Sequence, residues 1–431
     1  MNQLGTHMAS VTDITLAKPA EPSNEWWDNP YAKWLLTDGW ECSDPVDLVH
    51  RFAHVLRDDG VPLLRLRVTI RILHPLVVGT TYTWDQDTDA VEVHEPSHDV
   101  LESKQYLNSP YAAIFEGAGG IRRRLDIRNP KLEYPILVEL KERGATDYVA
   151  MPFLFRDRQV NVITVAAYRP GGFSSAELTR LYGMLPALGR VYEVHAHQRT
   201  SRSLLDTYLG AHSGKQVLDG LVKRGDGEDI YAVIWFCDLR DSTPLADSMA
   251  RHEFLAVLND FFDCMAGAVL DNGGEVLRFI GDAVLAIFPI RNVVEAPNMV
   301  RQVPERCPMH RKVCETAVRA ARDARRRVHR LNTERTSRGH VTLRFGVALH
   351  LGEVTYGNIG TPQRLEFTVV GSDANEAARL EGQCKRLNQT ILASVDFAKV
   401  LPDEWVSLGY HQLRGLEAPR ELFALRDGIV D

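Results

Sequence analysis

Asp238 and Asp282 are the residues of this chain best placed to do chemistry. Asp238 ends the apolar run "IYAVIWFCD", and Asp282 sits in the joint Ile280-Gly281-Asp282 between the two short apolar runs of "EVLRFIGDAVLAIFP". A strand end and a hairpin turn are rigid backbone, so two such carboxylates can converge on one point. Burying them there is costly unless a cation or a cationic side chain joins them. Two hard oxygen donors suit Mg2+, which takes one or two carboxylates together with substrate phosphates and retained water. Two ions held this way would activate an attacking hydroxyl and neutralise phosphoryl oxygens, which is the chemistry of phosphoryl transfer. Taken singly, each aspartate also has a plain structural use, Asp238 as the cap of the following helix and Asp282 as a turn residue. Cys307, His310 and Cys314 in "CPMHRKVC" could be drawn as a second metal set, but they lack a fourth ligand and a C-x-x-C pair, so free thiols are expected.

The elements that must position the aspartates follow from apolar spacing. After about residue 229 the pattern reads strand, helix, hairpin, helix, strand, hairpin, helix, strands, with "RHEFLAVLNDFFDCMAGAVLDNGG" an amphipathic helix stopped by glycine. Upstream, "DLVHRFAHVLRDDG" predicts a helix, and "LLRLRVTIRIL" a half-buried strand with Leu66, Val68, Ile70 and Ile72 on one face. "TTYTW" and "AVEVHE" predict further strands, and "DYVAMPFLF" with "VNVITVAAY" a strand pair. Ser174 with Glu177 has the form of a capping box and starts a helix in which Leu178, Leu181, Leu185, Leu188, Tyr192, Leu204, Leu205 and Tyr208 recur at three- and four-residue spacing. Pro186 should kink or reset it. That helix either packs on its own domain or connects two chains. The chain is therefore read as α+β: a leader and N-terminal segment over 1–44, a sheet domain over 45–170, a helical connector over 174–228 and a second α+β domain over 229–431. The 45–170 region resembles a GAF or PAS sensor domain, which implies a small-molecule effector.

Composition narrows the function classes. With 431 residues, 25% of them charged and a formal net charge of −7, sequence-independent nucleic-acid binding is disfavoured, because phosphate neutralisation needs a basic face. The basic run "RAARDARRRVHR" at 319–330 is expected to solvate a helix. Six cysteines spread over this length make no disulfide framework. No run is long and apolar enough to span a membrane. A soluble, cytoplasmic protein is expected, and the opening "MNQLGTHMAS" resembles a cloning leader.

Five segments in order, "WFCDLRDST", "GGEVLRFIGDAVLAIFP", "FGVALHLGEVTYGNIGT", "RLEFTVVGSDANEAARLEG" and "HQLRGLEAP", resemble the class III nucleotidyl cyclase catalytic domain, over about 229–426. The resemblance implies a ferredoxin-like catalytic domain in which Asp238 and Asp282, with the Leu239 carbonyl, hold two Mg2+ or Mn2+ ions. It implies that Asn375 orients the ribose and that Arg379 counters charge building on the α-phosphate. It further implies base contact by Arg278 and Thr368 and a terminal-phosphate role for Arg414. The sites would be shared across a homodimer, one chain giving the aspartates and the other giving Arg278, Thr368, Asn375 and Arg379.

Three departures from the family pattern shape the expectation. Arg278 replaces the usual lysine; an arginine can donate to adenine N1 but cannot accept from guanine, so ATP is the expected substrate and cyclic AMP with pyrophosphate the products. Asp241-Ser242-Thr243 replaces glycine-phenylalanine-threonine, bringing a carboxylate near the triphosphate. Arg414 stands where a lysine is usual. The alternatives are a guanylate cyclase, a non-catalytic nucleotide-binding regulator and a diguanylate cyclase suggested by "NGGEV", whose glycines are equally expected at a helix stop.

Overall fold

The computed structural model describes residues 28–290 and 308–428, which form two compact units divided between Leu204 and Leu205. The leader "MNQLGTHMAS" and Cys307 lie outside the described residues.

The first unit is built on an antiparallel sheet of β1 (Leu63–Arg71), β2 (Gly79–Asp85), β3 (Ala90–His94), β4 (Ile121–Arg124), β5 (Asp147–Leu154) and β6 (Val160–Ala167), in the order β3-β2-β1-β6-β5-β4. The alternation in β1 does what its period requires: Leu66, Val68 and Ile70 are buried on one face. They pack with helix Pro45–Asp58 and with Leu178, Leu181, Leu185, Leu188 and Tyr192 of helix Ser175–Leu209. Helix Pro30–Leu36 buries Tyr31, Ala32 and Leu35 in the same core, with the Asn29 side chain accepting from the first backbone amides. Helix Pro135–Glu142 covers the opposite face through Leu137 and Leu140. The capping box is present: Ser174 N–H donates to Glu177 Oε2 at 2.7 Å, and Glu177 N–H to Ser174 Oγ at 3.3 Å. The helix it starts runs through Pro186 as one element, and past the buried half its side chains open to solvent, with Tyr208 76% exposed.

The second unit holds β7 (Gly227–Leu239), β8 (Glu275–Ile280), β9 (Ala283–Pro289), β10 (Phe345–Thr361), β11 (Arg364–Val370), β12 (Ile391–Ser394), β13 (Trp405–His411) and β14 (Arg420–Leu425). The sheet order is β13-β14-β12-β10-β7-β9-β8, with β11 paired to β10. Chain order β7, helix Arg251–Asp271, β8, β9, helix Pro308–Ser337, β10 combines with spatial order β10-β7-β9-β8 to give a ferredoxin-like core. The near-continuous apolar run of β7 reflects burial on both faces. Val233, Trp235, Cys237 and Leu239 pack with the two long helices, while Ala232, Ile234 and Phe236 pack on the other face with Val354, Tyr356 and Phe367. Asp238 continues that second series. Where the sequence reading separated a strand from the following hairpin, β10 is one strand that pairs with β7 along its length and then turns into β11. Cys314 is buried in the core and His310 stacks on Tyr231 at 5.2 Å. Within the basic run, Arg322 pairs with Glu404 and Asp427, and Arg327 with Asp271 and Asp323. Among the described residues no helix is long and apolar enough to cross a membrane.

Candidate functional site

β7 and β9 bring the two aspartates together. Asp238 stands opposite Ala283 in the register, so Asp282, one residue earlier in the turn, is its neighbour. The turn needs Gly281, whose φ of +63° is left-handed, and Leu239 N–H donates to the Asp282 carbonyl at 3.4 Å. Burial, then the Asp282 charge and a hydrogen bond with it, push the Asp238 carboxyl up to about 6. Among the described residues Asp238 Oδ1 is buried without a hydrogen-bond partner. Among the described residues neither aspartate forms an ion pair. Two adjacent hard oxygen donors, one with an orphaned buried oxygen, fit a divalent cation that would take the place of that missing partner.

A third carboxylate, Glu381 on helix Ser372–Arg386, is 8% exposed beside the pair. Burial, then the Asp238 charge, push it up to about 7 against the pull of Arg240. Glu381 reaches this position because the helix lies tight on β10 at Gly346, the residue opposite Asp238. A Cβ at Gly346 would overlap Glu381 Oε1 and sit 2.8 Å from Cys384 Cβ. Glu381 does not complete a three-donor cluster with the aspartates, so its contribution there is charge. The sequence reading missed it; "AARLEG" reads as a solvated helix face, and only the glycine in the facing strand signals the close approach. Arg240 donates through Nη2 to the Gln389 carbonyl, and its Nε is buried without a partner among the described residues.

Asp241, three residues after Asp238, is held by two cations: Arg344 Nη2 at 2.5 Å from Oδ2 and Lys385 Nζ at 2.6 Å from Oδ1. Its charge is thereby neutralised locally, and its ionised form is favoured first by the Lys385 hydrogen bond and then by that of Arg344.

The remaining residues divide between two surfaces. Arg278 on β8 forms an ion pair with Glu366 of β11, Nε to Oε1 2.9 Å. Glu366 and the buried Thr368 are two apart on that strand and share a face, so Arg278 of β8 is paired two residues from Thr368 along β11. Asn375 and Arg379 occupy successive turns of helix Ser372–Arg386, Asn375 exposed and Arg379 half-buried. The Arg379 guanidinium lies against Gly415, where an added Cβ would be 3.5 Å from Nη2; Arg414, next in sequence, is exposed. Leu239 is the last residue of β7.

Residues 228–415 match the adenylate and guanylate cyclase catalytic domain. An uncharacterized protein of Mycobacterium tuberculosis is 30% identical over 248 residues, 54% of this chain and 40% of that protein. An adenylate cyclase of Anabaena cylindrica is 30% identical over 163 residues, 37% of this chain and 28% of that protein. The chain thus spans less than half the length of these curated relatives. Among solved structures, the adenylyl cyclase CyaB from P. aeruginosa is 21% identical, covering 48% of this chain and 98% of that one with a TM-score of 0.40.

Proposed function

We propose, from the premise that residues 228–415 are a class III nucleotidyl cyclase domain, that the protein converts ATP to 3′,5′-cyclic AMP and pyrophosphate. The reading rests on one observation above the others: Asp238 and Asp282 are adjacent, and Asp238 Oδ1 is buried with no hydrogen-bond partner among the described residues. Asp238 and Asp282, with the Leu239 carbonyl, would hold two Mg2+ or Mn2+ ions. When bound, the ions lower the pKa of the ribose 3′-hydroxyl and neutralise phosphoryl charge. Arg379 stabilises charge that builds on the α-phosphate as pyrophosphate leaves, Asn375 holds the ribose, and Arg414 meets the terminal phosphates. Glu381, raised to about 7 by burial and the Asp238 charge, ionises as a cation binds beside it, which adds to cation capture.

A shared site in a homodimer is supported by helix geometry. Two residues along an α-helix are about 200° apart, so the helix that turns Glu381 toward the aspartates turns Arg379, and with it Asn375, the other way. A second copy of the domain supplies that face to the aspartates of the first. For the first unit we propose a sensor of the GAF or PAS kind; supporting it is the six-stranded antiparallel sheet with helices packed on both faces. The partly exposed second half of helix Ser175–Leu209 serves as the connector.

A guanylate cyclase is the second reading, favoured by Glu366. Its carboxylate beside Arg278 and Thr368 is an acceptor that guanine N1–H could meet. Product formation from ATP and GTP at equal concentration, with Mg2+ and with Mn2+, separates the two. Cyclic AMP as the main product supports the proposal, cyclic GMP supports the second reading, and neither product from the folded protein rejects both.

A further inference from the structure

The first unit contains a cluster that cyclase chemistry does not use. His50 and His54 are one turn apart on helix Pro45–Asp58, and Asp89 closes the turn between β2 and β3. A spacing of four puts both imidazoles on one helix face, with ring centroids 4.7 Å apart. His54 Nε2 lies 3.0 Å and His50 Nε2 3.7 Å from Asp89 Oδ1. One donor atom from each of the three residues lies within 4.8 Å of the others. A tetrahedral zinc ion with bonds of about 2.1 Å sets its ligands roughly 3.4 Å apart, a separation that the 3.0 and 3.7 Å contacts bracket.

Two details favour a cation between these groups over a simple ion pair. His54 Nε2 is buried, and its approach to Asp89 lacks hydrogen-bond geometry, so this nitrogen has no hydrogen-bond partner among the described residues. The oxygen that both imidazoles approach is also held in place: the indole N–H of the fully buried Trp84 donates to Asp89 Oδ1 at 3.0 Å, the kind of outer contact that fixes metal-binding carboxylates. Asp89 itself holds a left-handed φ of +48°. His50 Nε2 reaches the Asp89 carbonyl oxygen at 3.2 Å, a contact that metal binding would replace. With side chains 40%, 37% and 51% exposed for His50, His54 and Asp89, a fourth position is open to water.

The geometry points to a transition-metal site made by His50, His54 and Asp89, of the Zn2+ class, with two imidazoles, one carboxylate and one water. Imidazole donors select zinc and its neighbours over Mg2+ and Ca2+, which take oxygen ligands; the site is therefore chemically separate from the Asp238–Asp282 pair. The test is calorimetric titration of the full, chelator-stripped chain with ZnCl2 in excess Mg2+, supported by the visible spectrum of the Co2+ form. Expected is a single tight equivalent whose affinity falls at least about tenfold in His54→Gln, His50→Gln and Asp89→Asn, and about tenfold in Trp84→Phe, with His310→Gln unchanged. Melting in chelator establishes that each variant is folded. Absence of Zn2+ binding in excess Mg2+, or binding that all four cluster variants retain, would overturn the assignment and leave an ion-pair network.

Discussion

Asp238→Asn should stabilise the metal-free protein while removing its activity, because the carboxylate is placed for function at the expense of stability. Burial and Asp282 raise the Asp238 carboxyl from 3.8 to about 6. At 1.36 kcal/mol per unit, this displacement of roughly 2 units corresponds to about 3 kcal/mol. Part of it is shared with Asp282, so the expected gain on neutralisation is about 1–3 kcal/mol. An acid whose folded pKa is raised binds more protons in the native state, so wild-type stability falls as pH rises from about 4 through about 6 and stays low above that. The variant lacks this loss. In calorimetry with chelator at pH 8, Asp238→Asn should melt several degrees above wild type, at roughly 2–4 °C per kcal/mol for a unit of this size. At pH 5 the gap should narrow. Added Mg2+ should raise the wild-type midpoint and leave the variant's unchanged, since a ligand stabilises only the state it binds. A variant that melts at or below wild type at pH 8, or a gap that does not depend on pH, would refute the electrostatic reasoning.

Three further outcomes follow from named contacts. Mixing Asp238→Ala with Asn375→Ala protein, each inactive alone, should restore part of the turnover by assembling one intact site; no recovery after verified subunit exchange would reject the shared site. Glu366→Gln removes the charge that holds Arg278, so the ratio of ATP to GTP turnover should shift toward ATP, and an unchanged ratio would remove both residues from base selection. Gly346→Ala places a methyl onto Glu381 and Cys384 and should cost about 1–3 kcal/mol in chemical denaturation; a neutral result would mean that the helix sits further from β10.

What could be read from the sequence was what local pattern specifies. The two aspartates stood out because an apolar strand and the short joint Ile280-Gly281-Asp282 leave little freedom in where their side chains go. The capping box at Ser174 and Glu177 was equally local. Contacts between distant segments were not legible. Nothing near Asp241 announces Arg344 or Lys385, 103 and 144 residues away, and nothing in "AARLEG" announces that Glu381 is buried against Gly346. Helix Pro30–Leu36 carried a readable start, an asparagine cap before a proline, but it stands ahead of the point where the sheet domain was taken to begin. The His50, His54 and Asp89 cluster joins a helix to a hairpin, and pairing of that kind has no signature in a single sequence.

The most direct measurement is cyclic-nucleotide formation by Asp282→Ala against wild type at saturating Mn2+, with folding of both checked by calorimetry. Loss of turnover in a folded variant, together with loss of Mn2+ binding at this site, is the result the account requires. A folded Asp282→Ala protein that turns over nucleotide at the wild-type rate would contradict it.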